Sequence, residues 1–135
     1  MKLTKNNNQA GLTLIEVTLV IAVLLGLISV LFIGVSAYKE GSNRAKCILN
    51  ISNVQKAVRS YQNLYELSPP VGETAGSALA STLIIGTGKM LETSPSCSSG
   101  GSYTYGSTVP AVGTAYLSCS LASSDQHVPS SLTGW

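Results

Sequence analysis

Polarity changes abruptly along this chain. Residues 1–10 are polar, with Lys2, Lys5 and the run Asn6-Asn7-Asn8-Gln9. An almost wholly apolar stretch then reaches Tyr38, and no charged side chain falls between Val17 and Tyr38. Those about 22 residues span roughly 33 Å as a helix. A bilayer core is about 30 Å thick, so residues 12–37 are expected to form a helix able to cross a membrane. Beyond Tyr38 the pattern becomes periodic. Ile48, Ile51, Val54, Val58, Tyr61 and Tyr65 recur at steps of three and four, as on one face of an amphipathic helix. Arg44, Lys46, Lys56 and Arg59 lie mostly off that face. One long helix is therefore expected from about residue 12 to residue 66. Ser68-Pro69-Pro70 should stop it, because proline has no amide N–H and forces its predecessor out of helical geometry.

Residues 68–95 are rich in Gly, Ser, Thr and Ala. Ser77 to Ile85 is apolar enough for a short helix, and Gly86-Thr87-Gly88 should break it. Lys89 follows those glycines, but no Ser or Thr follows the lysine, so the phosphate-loop pattern is not met. Ser102-Tyr103-Thr104-Tyr105 and Ala115-Tyr116-Leu117-Ser118-Cys119 read as short strands. The segment between them holds Pro110 and Gly113, which predicts a hairpin with a long loop. The C-terminal stretch from His127 to Trp135 reads as coil.

Glu16 does not fit a plain apolar anchor. A carboxylate in a membrane helix costs about 2.5–3.5 kcal/mol at the centre, less near the edge, and usually has a partner or a task. Gly11-Leu12-Thr13-Leu14-Ile15-Glu16, behind a short basic leader and ahead of the apolar run, resembles the class III signal of type IV pilins and type II secretion pseudopilins. That resemblance implies cleavage by a prepilin peptidase between Gly11 and Leu12, and N-methylation of Leu12. The usual family residue after the cut is Phe; here it is Leu12. Many family members also carry a proline in the apolar helix. This chain has none there, so any weak point in the helix would have to come from Gly26, Ser29 and Gly34.

Processing of this kind would leave a free amine at Leu12 about one turn from Glu16, both poorly solvated. Charges removed from water need partners. If subunits stack with an axial offset, Glu16 of one meets the Leu12 amine of the next, and the pair sets register. Lys2 and Lys5 place the leader on the cytoplasmic side. The head beyond Tyr38 would then face the periplasm or the cell exterior. The competing reading is a signal anchor with an acidic residue near its edge.

Composition narrows the chemistry. The chain has 135 residues and a formal charge of +2. The leader carries two of the eight basic residues, so the remainder balances its six acids. No polybasic surface argues for nucleic-acid binding. In an exported head, Cys97 and Cys119 can form a disulfide. Closing a loop of about 22 residues contributes roughly 3 kcal/mol in the chain-entropy picture. Cys97-Ser98-Ser99-Gly100-Gly101-Ser102-Tyr103, followed by Cys119-Ser120, also resembles the C-terminal half of pseudopilin-like subunits, more loosely. Cys47 is left over, as a small buried hydrophobe on the helix or a bridge to another chain. Two head cysteines and His127 do not complete a four-ligand zinc site. Glu92 and Asp125 stand alone, without the clustered oxygens calcium needs. No metal, no cofactor and no catalytic residues are expected, and His127 reads as a solvated or hydrogen-bonded head residue.

The expected fold is α+β and pilin-like: a long N-terminal helix packed on a small antiparallel head sheet with a disulfide. Its parts are a removable leader (1–11), a membrane or filament-core helix (12–37), the amphipathic half of the helix (38–67) and a head with a C-terminal hairpin (68–135). The resemblance implies an inner-membrane precursor drawn into a helical homo-oligomeric filament by a platform protein and a cytoplasmic ATPase. Motility or adhesion pili, type II secretion and DNA uptake share this N-terminus. An alternative from another class is a membrane-anchored binding module that never polymerises; a further one, an anchored enzyme, would depend on His127.

Overall fold

A computed structural model describes residues 11–70 and 76–135. The expected leader, apart from Gly11, and part of the connecting region at 71–75 lie outside the described residues. The chain divides into two compact units, Met1–Tyr38 and Lys39–Trp135. Helix α1, Leu14–Leu64, contributes to both.

In the first unit every described residue is exposed. Phe32 is 72% exposed and Ile33 76%. A helix apolar on all sides suits lipid or other helices better than water. Its hydroxyls are turned inward on the backbone: Thr18, Ser29 and Ser36 donate to the carbonyls of Ile15, Leu25 and Phe32. Such back-bonding leaves few polar groups on the helix surface. The helix is long and apolar enough to cross a membrane.

The second unit is built on the C-terminal part of α1. Cys47, Ile51, Val54 and Val58 are buried at helical spacing, together with Gln55 and Ala57. Ile51, Val54 and Val58 of the expected face are buried, and the stripe departs from that face at its ends. Ile48 is only half-buried and Tyr65 is 57% exposed, while Cys47 is fully buried. Tyr61 packs at the edge of the core, with its ring centroid 4.3 Å from that of Tyr65. The helix ends as expected before the prolines. Glu66 adopts a left-handed conformation (φ 52), and the Leu67 N–H donates to the Gln62 carbonyl at 3.0 Å. That closure satisfies a carbonyl that the last turn would otherwise leave open.

Facing the helix is a two-stranded antiparallel sheet of β1 (Tyr103–Tyr105) and β2 (Leu117–Cys119). Tyr103 lies opposite Cys119, and Tyr105 opposite Leu117. The two-residue strand period sends these four toward the core and leaves Thr104 and Ser118 exposed. The expected helix over Ser77–Ile85 is one turn, α2 (Ser81–Ile84). Ahead of it the chain is extended: Ala78 bridges Thr108, and Leu79 donates to Ser107. Leu79, Ile84, Val109, Tyr116 and Leu117 complete the core with the helix residues.

Polar side chains tie the helix to the loops. Gln55 is 3% exposed. Its Nε2 donates to the Thr114 carbonyl, and its Oε1 accepts from the Tyr116 N–H at 2.8 Å. Arg59 donates to the carbonyls of Pro110, Ala111 and Trp135. Trp135 packs against the core rather than remaining free.

Candidate functional site

Two groups of residues carry chemistry, one in each unit. At the N-terminal end, Gly11, Leu12 and Thr13 precede α1 and are exposed. The Thr13 carbonyl accepts from the N–H groups of Glu16 and Val17 at 3.1 and 3.2 Å, which starts the helix. Glu16 lies in the first turn. Unpaired N–H groups and the positive end of the helix dipole favour an acid there, by about 0.3–1 kcal/mol. An acid at this position therefore suits the start of the helix, which reading the segment only as an apolar span misses. The Thr13-x-x-Glu16 spacing of a capping box was its available signal.

In the second unit the structure brings together three cysteines and the histidine. Cys47 comes from α1 and Cys97 from the turn before β1. Cys119 ends β2, and His127 lies in the C-terminal coil. The ligand atoms of Cys47, Cys97, Cys119 and His127 all lie within 4.8 Å of one another, and all four residues are buried. No S–S bond joins the cysteines; all three are free thiols. The expected Cys97–Cys119 disulfide is not shown: the two residues are neighbours, as that expectation required, but unbonded. Cys47 is buried in the core, as a small hydrophobe would be, and is also the third sulfur of the group. His127, read from the sequence as solvated or hydrogen-bonded, is fully buried. Its Nδ1 lies 3.5 Å from Cys97 Sγ, and its Nε2 has no hydrogen-bond partner.

Local structure explains the placement. Cys97 opens a tight turn in which the Gly100 N–H donates to the Cys97 carbonyl at 3.1 Å, with Gly100 at φ 81. Only glycine adopts that conformation without strain. Gly101 passes close to the sulfurs: a Cβ there would stand 3.0 Å from Cys119 Sγ and 2.9 Å from Leu121 Cγ. Tyr103 donates its hydroxyl to Cys47 Sγ at 3.2 Å and accepts from Asn50 Nδ2. Asn50 also donates to the Ser96 carbonyl, which anchors the start of the turn to α1. The His127 N–H donates to Leu121 O at 3.2 Å.

The sulfurs differ in character. Burial pushes the Cys47 thiol up to about 12, against the lowering effect of the Tyr103 hydroxyl. Burial also opposes ionisation of Cys97, but the N–H groups of Ser99 and Gly101, with His127, outweigh it and bring that thiol down to about 7. Tyr103 is raised, by burial and by its bond to Cys47. Of Cys47 and Cys97, Cys97 is therefore the readier to be a thiolate, the form that binds metals and attacks disulfides.

No family model, curated protein or solved structure matches this chain. A shallow groove beside α1, lined by Gln55, Lys56, Arg59 and Trp135 among others, is a weaker site. Gln55 and Arg59 already spend their polar atoms on backbone partners there.

Proposed function

We propose that this chain is a structural subunit of a type IV pilin-like filament. The observation that carries the reading is the exposed, charge-free helix surface from Val17 to Tyr38, entered through Gly11-Leu12-Thr13-Leu14-Ile15-Glu16. So much apolar surface on one helix needs a covering. Lipid provides it while the subunit is stored, and the same helices of neighbouring subunits provide it in a filament. Prepilin peptidase cuts after Gly11, and Leu12 becomes the methylated N-terminus. The new amine pairs with Glu16 of an adjacent subunit and fixes the axial step. The second unit is the head that faces outward. A platform protein and a cytoplasmic ATPase supply the work of extraction from the inner membrane. A type II secretion pseudopilus or a DNA-uptake pilus would use the same parts.

Shearing of the cell surface followed by intact-mass and N-terminal analysis tests the reading. A chain beginning at methylated Leu12 in the sheared filament fraction is the expected result. A chain that keeps Met1, or one cut beyond Tyr38 and recovered only from membranes or medium, would overturn it in favour of an anchored binding module. Glu16→Ala should abolish filaments and leave membrane insertion intact.

A further inference from the structure

We propose that Cys47, Cys97, Cys119 and His127 form a binding site for one zinc ion, which closes the head around α1. Three thiol sulfurs and one imidazole nitrogen are a donor set of structural zinc sites. Their spacing suits the ion as well. Zn–S bonds of about 2.3 Å and Zn–N bonds of about 2.0–2.1 Å, directed tetrahedrally, put sulfur and nitrogen ligands roughly 3.6 Å apart and two sulfurs roughly 3.8 Å apart. Cys97 Sγ and His127 Nδ1 are 3.5 Å apart, and no two ligand atoms in the group are separated by more than 4.8 Å. Sub-ångström side-chain shifts bring the remaining edges to tetrahedral lengths.

A single disulfide accounts for the group less well. It would use two sulfurs and leave the third thiol and His127 buried beside it. His127 is the independent sign of a missing ligand. It is fully buried, and its Nδ1, the nitrogen placed to bind the ion, faces only the Cys97 sulfur; Nε2 has no partner with or without the ion. Sulfur is a weak hydrogen-bond acceptor, so burial of the ring there has little compensation. Zinc gives one nitrogen a strong bond.

The surroundings also suit metal-bound thiolates. The Tyr103 hydroxyl donates to Cys47 Sγ at 3.2 Å and is itself held by Asn50 Nδ2. Such outer donors hold sulfur ligands in place and offset their charge. On binding, the three S–H groups lose their protons to solvent, and each sulfur shares an electron pair with Zn2+. The neutral imidazole shares one more pair. No electron is transferred, and no oxidant is needed. The site carries one net negative charge and links α1, the Cys97 turn, β2 and the C-terminal coil. In an exported head, the ion would also hold the thiols against oxidation.

The test uses the full-length chain, extracted in detergent without chelators. Metal content and non-reducing intact mass are measured on one sample. About one zinc per chain, with no mass deficit and with thiols that resist alkylation until a chelator is added, is expected. Co2+ added to the reduced, metal-free protein should give the sulfur-to-cobalt charge-transfer and intense visible bands of a tetrahedral thiolate site. Cys47→Ser should weaken zinc binding by about tenfold or more, and Tyr103→Phe, which retains every ligand, by roughly tenfold. A metal-free protein two protons light would overturn the proposal in favour of a disulfide. So would a reduced protein that gives no cobalt bands, or a Cys47→Ser chain that holds zinc as tightly as the parent. None of these readouts depends on filament assembly, so failure here leaves the filament reading standing, and the reverse holds.

Discussion

At the scale of single residues, Glu16 and Gln55 show how one polar side chain is used in two settings. Glu16 stands in the first turn of an exposed apolar helix. Helix initiation needs an acceptor there, which Gln partly supplies, whereas pairing with an amine needs the charge. Glu16→Gln should therefore keep the helix and the membrane insertion but lose filaments, as seen by electron microscopy of sheared cells. Gln55 is buried and acts as a surrogate for backbone, bonding Thr114 O and Tyr116 N from one amide. Gln55→Leu would leave both groups without partners inside the head. An unsatisfied buried group costs about 1–3 kcal/mol. A loss of about 2 kcal/mol lowers the Tm of a domain this size by roughly 8–16 °C. A calorimetric shift of under about 2 °C would show that the two backbone groups find other partners. The periodicity of α1 did not single out Gln55, because a polar residue on an amphipathic helix normally faces water.

At the scale of elements, the helix stop and the hairpin were legible. Ser68-Pro69-Pro70 places the end of α1, and the Tyr- and Thr-rich segments place β1 and β2 to within two residues. The helix face was legible at Ile51, Val54 and Val58, but not at its ends. A stripe through Ile48 and Tyr65 matches the spacing of three and four, but packing on the sheet turns Cys47 inward instead. The difference between adjacent residues on a helix is about 100°, and only the shape of the opposing surface selects it. The extended segment before α2 has a similar origin. Gly76 lets it pass Val109: a Cβ there would stand 2.5 Å from the Val109 carbonyl oxygen. Gly76→Ala must push the two strands apart at the Ala78–Thr108 bridge. A destabilisation of about 1–3 kcal/mol, read as a lower denaturant midpoint, is expected. An unchanged midpoint would mean that the segment moves aside freely.

At the scale of the whole molecule, the two units divide the properties of the chain. The first is a helix with no core of its own, and its exposed apolar surface needs lipid or other helices. The second has its own core of helix, strand and coil residues. Removal of residues 1–38 should therefore give a monomer that stays in solution without detergent, melts cooperatively and never enters filaments. Size-exclusion chromatography and thermal circular dichroism check this. Aggregation of the shortened chain, or its incorporation into filaments, would show that the head depends on the apolar helix or carries its own assembly surface.

What the sequence alone determined lies mostly in continuous stretches: the span-length apolar run, its entry at Gly11–Glu16, the long helix, its stop and the two short strands. Each depends on neighbouring residues or on a local period, so the chain displays it directly. The four-residue cluster escaped the sequence for the complementary reason. Compartment and loop length favour a Cys97–Cys119 bond, but neither brings Cys47 or His127 into view. Cys47 and His127 are far apart in the chain and meet only because α1 packs on β2 and the C-terminal coil folds back beneath them. The three free thiols and the buried imidazole were decided by tertiary packing, which converges four separate elements on one point that no local pattern marks.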